Sequence, residues 1–153
     1  MSETTIRTIG YEAAGFADFL AVLQQAGIQT VIDVRDLPLS RRAGFSKRVL
    51  AASLAEAGIG YVHLKNLGTP KEGRLAARRG DDAGFWAIFA ARMQTPEADM
   101  DLQRAAEIAG REASALLCFE ADPAKCHRRR VAEALAERFG FKVEDLRLVP
   151  PSG

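Results

Sequence analysis

Cysteine is scarce: Cys118 and Cys126 are the only two in 153 residues. That is too few for a disulfide framework, and a reducing cytoplasmic setting is expected. Histidine is as rare, with only His63 and His127. No unbroken apolar run approaches the ~20 residues that cross a bilayer, so no membrane partner is expected. The first residues, MSETTIRTIG, lack the basic head and apolar stretch of a secretion signal. No glycine-rich dinucleotide fingerprint or P-loop occurs, which argues against a nucleotide cofactor. There is no internal repeat and no low-complexity tract. What remains is a chain 48% apolar, long enough for one domain with a real core. A single α/β domain over residues 1–153 is expected.

Charge of either sign is nearly balanced, at a net +1, but it is unevenly spread. From Arg35 to Gly80 there are ten Lys/Arg against three Asp/Glu. From Asp81 to Asp122 the sequence reverses, with three basic residues against nine acidic. Lys125, Arg128, Arg129 and Arg130 then follow without an intervening acid. Such asymmetry suits an anionic ligand, although wet helix faces also alternate charge.

Strand and helix patterns alternate along the chain. Thr5–Ile9 is β-branched and ends at Gly10. Phe16, Phe19, Leu20 and Leu23 follow helical spacing and stop at Gly27. Thr30–Val34 reads as an apolar strand carrying one acid, Asp33, and residues 35–44 as a loop. Ser46 is placed to cap a helix through Leu50, Leu54 and Ala57, closed by Gly58. Gly60–Leu64 reads as the third strand, and residues 66–80 as a long polar, basic loop. Phe85, Ile88, Phe89 and Met93 share one helix face, with Trp86 off it. Thr95-Pro96-Glu97 gives a cap, a first-turn proline and a first-turn acid. Ala115–Phe119 reads as a buried strand. Asp122-Pro123 repeats the cap signal before a helix through Val131, Ala134, Leu135 and Phe139. Residues 141–149 close the chain as a strand. Strands joined by helices predict a mostly parallel sheet with helices on both faces and ligands beyond the carboxyl ends of the strands.

Polar residues collect at those ends. They are Tyr11 and Glu12 after the first strand, and Asp33, Arg35 and Asp36 at the second. His63, Lys65 and Asn66 follow at the third, and Glu120, Cys126, His127 and Arg128 after the fourth. The segments TIGY, VIDVRDLPLSRRAGFSK, LAEAGIGYVHLKNLGT and LLCFEADPAKCHRRRVAEAL resemble the DUF488 family, small bacterial and archaeal proteins of unassigned function. The shared pattern is Gly10, Asp33-Val-Arg35, Pro38, the Gly-Ile-x-Tyr around Tyr61, Leu67-Gly68, and Glu120 with Cys126-His127-Arg128. This chain departs from it at Tyr11-Glu12, where many members have His-Ser. The resemblance implies an α/β fold and names no reaction.

Cys126-His127-Arg128 is the sharpest feature. With Asp122 as cap, the trio lies in the first turns of the last helix. Free amides and the helix dipole there attract anions, and the same field lowers a thiol pKa. Arg128 would hold phosphate or carboxylate in a bidentate manner, with Arg35, Lys125 and Asn66 as further anion-binding candidates. A packed cysteine, a histidine held for structure and solvated arginines are the plain alternative. The positive neighbours should keep the His127 pKa below about 6.5. Asp33 either orients a histidine, binds a metal or pairs with Arg35. Glu120, Asp33, His63 and His127 leave room for a divalent metal, but their spacings match no metal motif.

The expected catalytic set is therefore Cys126, His127, Glu120 and Asp33, acting on a phosphate-bearing small molecule or nucleic acid. The basic residues Arg41, Arg42, Lys47, Arg48, Lys71, Arg74, Arg78 and Arg79 would contribute to the hold. Two alternatives stay open. One is a non-catalytic nucleic-acid or partner-binding domain. The other is a thiol enzyme using Cys126, since VIDVR also resembles the opening of rhodanese-like domains. The residue six after Cys126 is Ala132, so the cysteine-to-arginine phosphate loop of the phosphatases is absent. Neither the oligomeric state nor the identity of the substrate is legible in the residues.

Overall fold

In this computed structural model, residues 4–119 and 127–148 are described. Chain order is β1 (Thr5–Gly10), α1 (Phe16–Gln25), β2 (Thr30–Asp33), α2 (Lys47–Glu56) and β3 (Gly60–His63). A short 3-10 turn (Lys65–Leu67) leads to α3 (Lys71–Arg78), α4 (Asp82–Met93), α5 (Pro96–Arg111), β4 (Ser114–Cys118), α6 (Arg128–Phe139) and β5 (Lys142–Asp145). The strands form one sheet in the order β3-β2-β4-β1-β5, and every pairing is parallel.

Connections toward β3 and connections toward β5 run over opposite faces, as right-handed crossovers require. On one face α1 and α2 bury Phe19, Leu23, Leu50 and Leu54 with Ile9, Val31, Ala115 and Leu117. On the other, α4, α5 and α6 bury Phe89, Leu102, Val131 and Leu135 with Ile6, Ile32 and Leu116. Within β4, Ala115 and Leu117 face one cluster and Leu116 the other, the two-residue period of a strand covered on both sides. Each such leucine, isoleucine or phenylalanine contributes roughly 1.5–3 kcal/mol by leaving water. Among the described residues, no helix is long and apolar enough to cross a membrane.

Local signals act as their chemistry dictates, with two exceptions. Thr95 Oγ1 accepts from the Ala98 amide at 3.2 Å and caps α5, with Pro96 in the first turn. Gly27, Gly58 and Gly140 close three helix ends at positive φ. Ser46 does occupy the N-cap position of α2, but its hydroxyl makes no cap bond. It spans instead to Ser40, accepting from its amide at 3.0 Å and donating to its carbonyl at 3.2 Å. Residues 66–80, expected as a loop, contain α3. That helix buries Gly73 and Ala76, side chains too small to mark an apolar stripe. Trp86 is partly buried against the core and lies under Arg130, whose guanidinium carbon is 5.0 Å from the ring centre.

Candidate functional site

Because all strands run the same way, the loops after β1, β2, β3 and β4 gather at one edge of the sheet. The centre of that edge is a buried ion pair. Asp33, fully buried, takes Arg35 Nε at 2.9 Å and Nη2 at 2.7 Å. The same carboxylate accepts the Arg35 amide at 3.0 Å and the Tyr61 hydroxyl at 2.5 Å. Arg35 Nη1 donates to the Phe45 carbonyl at 2.7 Å and to the Tyr11 hydroxyl at 3.1 Å. An acid and a base two apart can meet because the chain has left the strand at Val34. Burial alone would lower the Arg35 pKa; the hydrogen bonds and charge of Asp33 outweigh that and raise it. Burial, reinforced by the Asp33 carboxylate, likewise pushes the Tyr61 hydroxyl well above its ordinary value.

A second knot ties the loop after β2 to that after β3. Asp36 accepts from Arg92 Nη1 at 2.6 Å and Arg74 Nη1 at 2.7 Å. Burial would raise the Asp36 pKa, but the two arginines lower it. Gly68 packs so closely here that a Cβ would lie 2.7 Å from Asp36 Cα and closer still to its nitrogen. Only glycine fits. His63 Nε2 lies 2.6 Å from the Arg35 carbonyl, pinning the same loop from β3.

His127 is buried under the Phe89 ring, with centroids 5.5 Å apart. Its Nε2 sits 2.8 Å from the Val34 carbonyl, which can only accept, so the proton is on Nε2. Burial lowers its pKa to about 4, against the opposing pull of the Val34 carbonyl, and Arg128 adds to the lowering. The imidazole is neutral at pH 7. The direction is the one expected from sequence, but desolvation rather than neighbouring charge is its main cause.

Above these groups opens a cavity of about 660 Å³. Tyr11, Arg35 and His127 lie on it, with Thr69 at the turn into α3. Arg41, Arg42, Arg74 and Arg78 complete its charged lining, and Asp36 is the one carboxylate among the described lining residues. Arg42 is held by two bonds to the Ala14 carbonyl, at 2.6 and 2.8 Å. Leu37, Leu39, Phe85 and Phe119 supply an apolar wall.

The residues expected from sequence are thus divided. Arg35 and His127 reach the cavity. Asp33 lies beneath it, its oxygens held by Arg35 and Tyr61, which is the structural pairing that the sequence left open. Arg128 is fully buried, with Nη1 3.2 Å from Cys118 Sγ, and does not line the cavity. Asn66 does not line it, and its backbone N–H donates to the Asp101 carboxylate at 3.0 Å. Glu120, Asp122, Lys125 and Cys126 lie outside the described residues. Among the described residues, no three His, Cys, Asp or Glu side chains come together as a metal would need. Thr69, Phe119 and the leucines of the loop after β2 carried no sequence signal; Arg41, Arg42, Arg74 and Arg78 were visible only as part of a basic segment.

A parallel sheet covered on both faces, with a basic cavity at its strand ends, defines the architecture as an α/β protein of the open-sheet type. The chain belongs to the family described as "Domain of unknown function DUF488", whose model matches residues 15–135. No curated protein and no solved structure matches it.

Proposed function

We propose that this chain binds a phosphate-bearing small molecule in the strand-end cavity. One observation carries the reading: among the described residues, five arginines line the cavity against a single carboxylate, Asp36, which is already paired twice. Arg35 is neutralised by Asp33, and His127 contributes no charge near neutral pH. Arg41 and Arg78 stand at the rim in no ion pair among the described residues. Guanidinium groups with free donors suit phosphate oxygens, which accept from several N–H groups at once. The volume falls within the roughly 300–1,000 Å³ of small-molecule sites, and so favours one compact ligand over a polymer strand.

Calorimetric titration with inorganic phosphate and pyrophosphate tests this. Both should bind, pyrophosphate more tightly. Arg41→Ala and Arg78→Ala should each weaken binding by about tenfold, the scale of one lost charge-assisted hydrogen bond, with unchanged melting. Unchanged affinity in both variants would overturn the reading. So would binding confined to single-stranded oligonucleotides with a steep salt dependence, the behaviour of a nucleic-acid surface.

A further inference from the structure

We propose that the ligand is an organic phosphate with an apolar, ring-bearing body, its phosphate held by Arg74 and Arg78 and its body laid along Leu37, Leu39 and Phe119. This rests on the anion reading above and extends it to the rest of the ligand.

The phosphate end is marked by the arginines of α3, Arg74 and Arg78. Thr69 is 4% exposed, lines the cavity, and its hydroxyl has no hydrogen-bond partner among the described residues. Such a hydroxyl normally finds one when buried. Its methyl is wedged against α3, where a Cβ on Gly73 would come within 2.6 Å of Thr69 Cγ2. The hydroxyl oxygen is itself closed off from the cavity, so the anion is left to the arginines. α3 begins two residues on, behind Pro70, with no side-chain cap on its first turn. Helix-start amides and the dipole favour an anion in this position. Arg74 and Arg78, one turn apart on α3, both line the cavity. Arg74 is fixed through Nη1 to Asp36 and to the Thr69 carbonyl at 2.9 Å, which leaves its Nε and Nη2 available.

The other wall marks the body of the ligand. Leu37, Leu39 and Phe119 are 51%, 66% and 42% exposed. They are three of the eight large apolar side chains so exposed among the described residues, and all three border this one cavity from two different strand ends. Scattered exposed leucines need no explanation, but a cluster on one concave wall does. Phe119 is held in place: its ring meets that of Tyr11 edge-on, with centroids 5.4 Å apart, and its carbonyl accepts from the Glu12 amide at 2.8 Å. Inorganic phosphate would satisfy the arginines and leave this wall wet. A ring attached to the phosphate would cover it.

The test compares 1-naphthyl phosphate, inorganic phosphate and 1-naphthol by calorimetry on the full chain. Naphthyl phosphate should bind at least about tenfold more tightly than either fragment. Leu39→Ser, at an exposed position, should lower naphthyl phosphate affinity about tenfold and leave inorganic phosphate unchanged. Arg78→Ala should weaken both phosphates alike, with unchanged melting. Naphthyl phosphate that binds no better than phosphate, or a Leu39→Ser variant that binds it equally well, would overturn the inference and leave the anion reading standing. Naphthol that binds as tightly as its phosphate, or no phosphate binding at all, would overturn both.

Discussion

Arg35 lines the cavity, yet its donors point into the protein, and its replacement distinguishes a structural strut from a ligand arm. Arg35→Met keeps much of the apolar stem and removes the guanidinium. Asp33 would then stay fully buried with two of its four contacts, the Tyr61 hydroxyl and the residue 35 amide. Leaving one half of a buried ion pair costs about 3–5 kcal/mol. The Phe45 carbonyl and the Tyr11 hydroxyl also lose their Nη1 donor, at roughly 1 kcal/mol each. Against a total stability of about 5–15 kcal/mol for a domain, the variant should unfold at much lower urea concentration. The double change Asp33→Asn with Arg35→Met removes the stranded charge and should recover a good part of the loss, since buried pairs replaced together are often close to neutral. Urea titrations with equal slopes would provide the comparison. A loss under about 1 kcal/mol in the single variant, or a double variant no better than the single, would refute the assignment of Asp33 and Arg35 to structure.

Three further outcomes follow from other parts of the site. His127 has a folded pKa of about 4, below the unfolded value of about 6.5, so stability from its neutral form is complete above pH 6.5 and is lost as pH falls toward 4, on the order of 3 kcal/mol in all. His127→Gln should flatten the pH dependence of unfolding free energy in that window, and an unchanged slope would contradict the burial of a neutral imidazole. Gly68→Ala should cost at least about 2 kcal/mol by overpacking the Asp36 backbone, visible as a lower melting temperature; an unchanged melt would mean that the two loops separate easily. Thr69→Val should gain up to about 1 kcal/mol in the unliganded chain, because a buried hydroxyl without a partner is destabilising; a clear loss in urea unfolding would show that the hydroxyl is already satisfied.

The architecture was legible because its signals are local and repeated. Strand segments such as Thr30–Asp33 are short apolar runs, and the glycines at 27, 58 and 140 stop helices where a left-handed residue is needed. Thr95-Pro96 announces a helix start that the backbone then obeys. The misreadings have physical causes as well. α3 buries only a glycine and an alanine, so hydropathy carries no trace of its inner face, and its charged residues read as loop. Ser46 lies at the right position, but Ser40 offers its hydroxyl both an amide and a carbonyl, and that exchange wins over the cap.

The site was legible as an edge of the sheet and not as a set of contacts. Parallel strands bring their ends together whatever the side chains are, so Arg35 and His127 could be placed there from topology alone. Which arginines face a ligand depends on partners far away in sequence, and no local pattern encodes that Asp36 will tie Arg74 and Arg92 to one loop. Arg128 is different, because its fate was encoded locally. Arg128, Val131, Ala132 and Leu135 are the buried residues of α6, spaced as the inner stripe of a helix. Arg129 and Arg130 fall outside that stripe and pair with Glu133 on the exposed face. Read by period, the first arginine of the run belongs inside with the valine and leucine, and the next two belong in water. Read by charge alone, all three look like an anion site. For a basic run at a helix start, the helical period therefore has to be applied before the charge is assigned to a ligand.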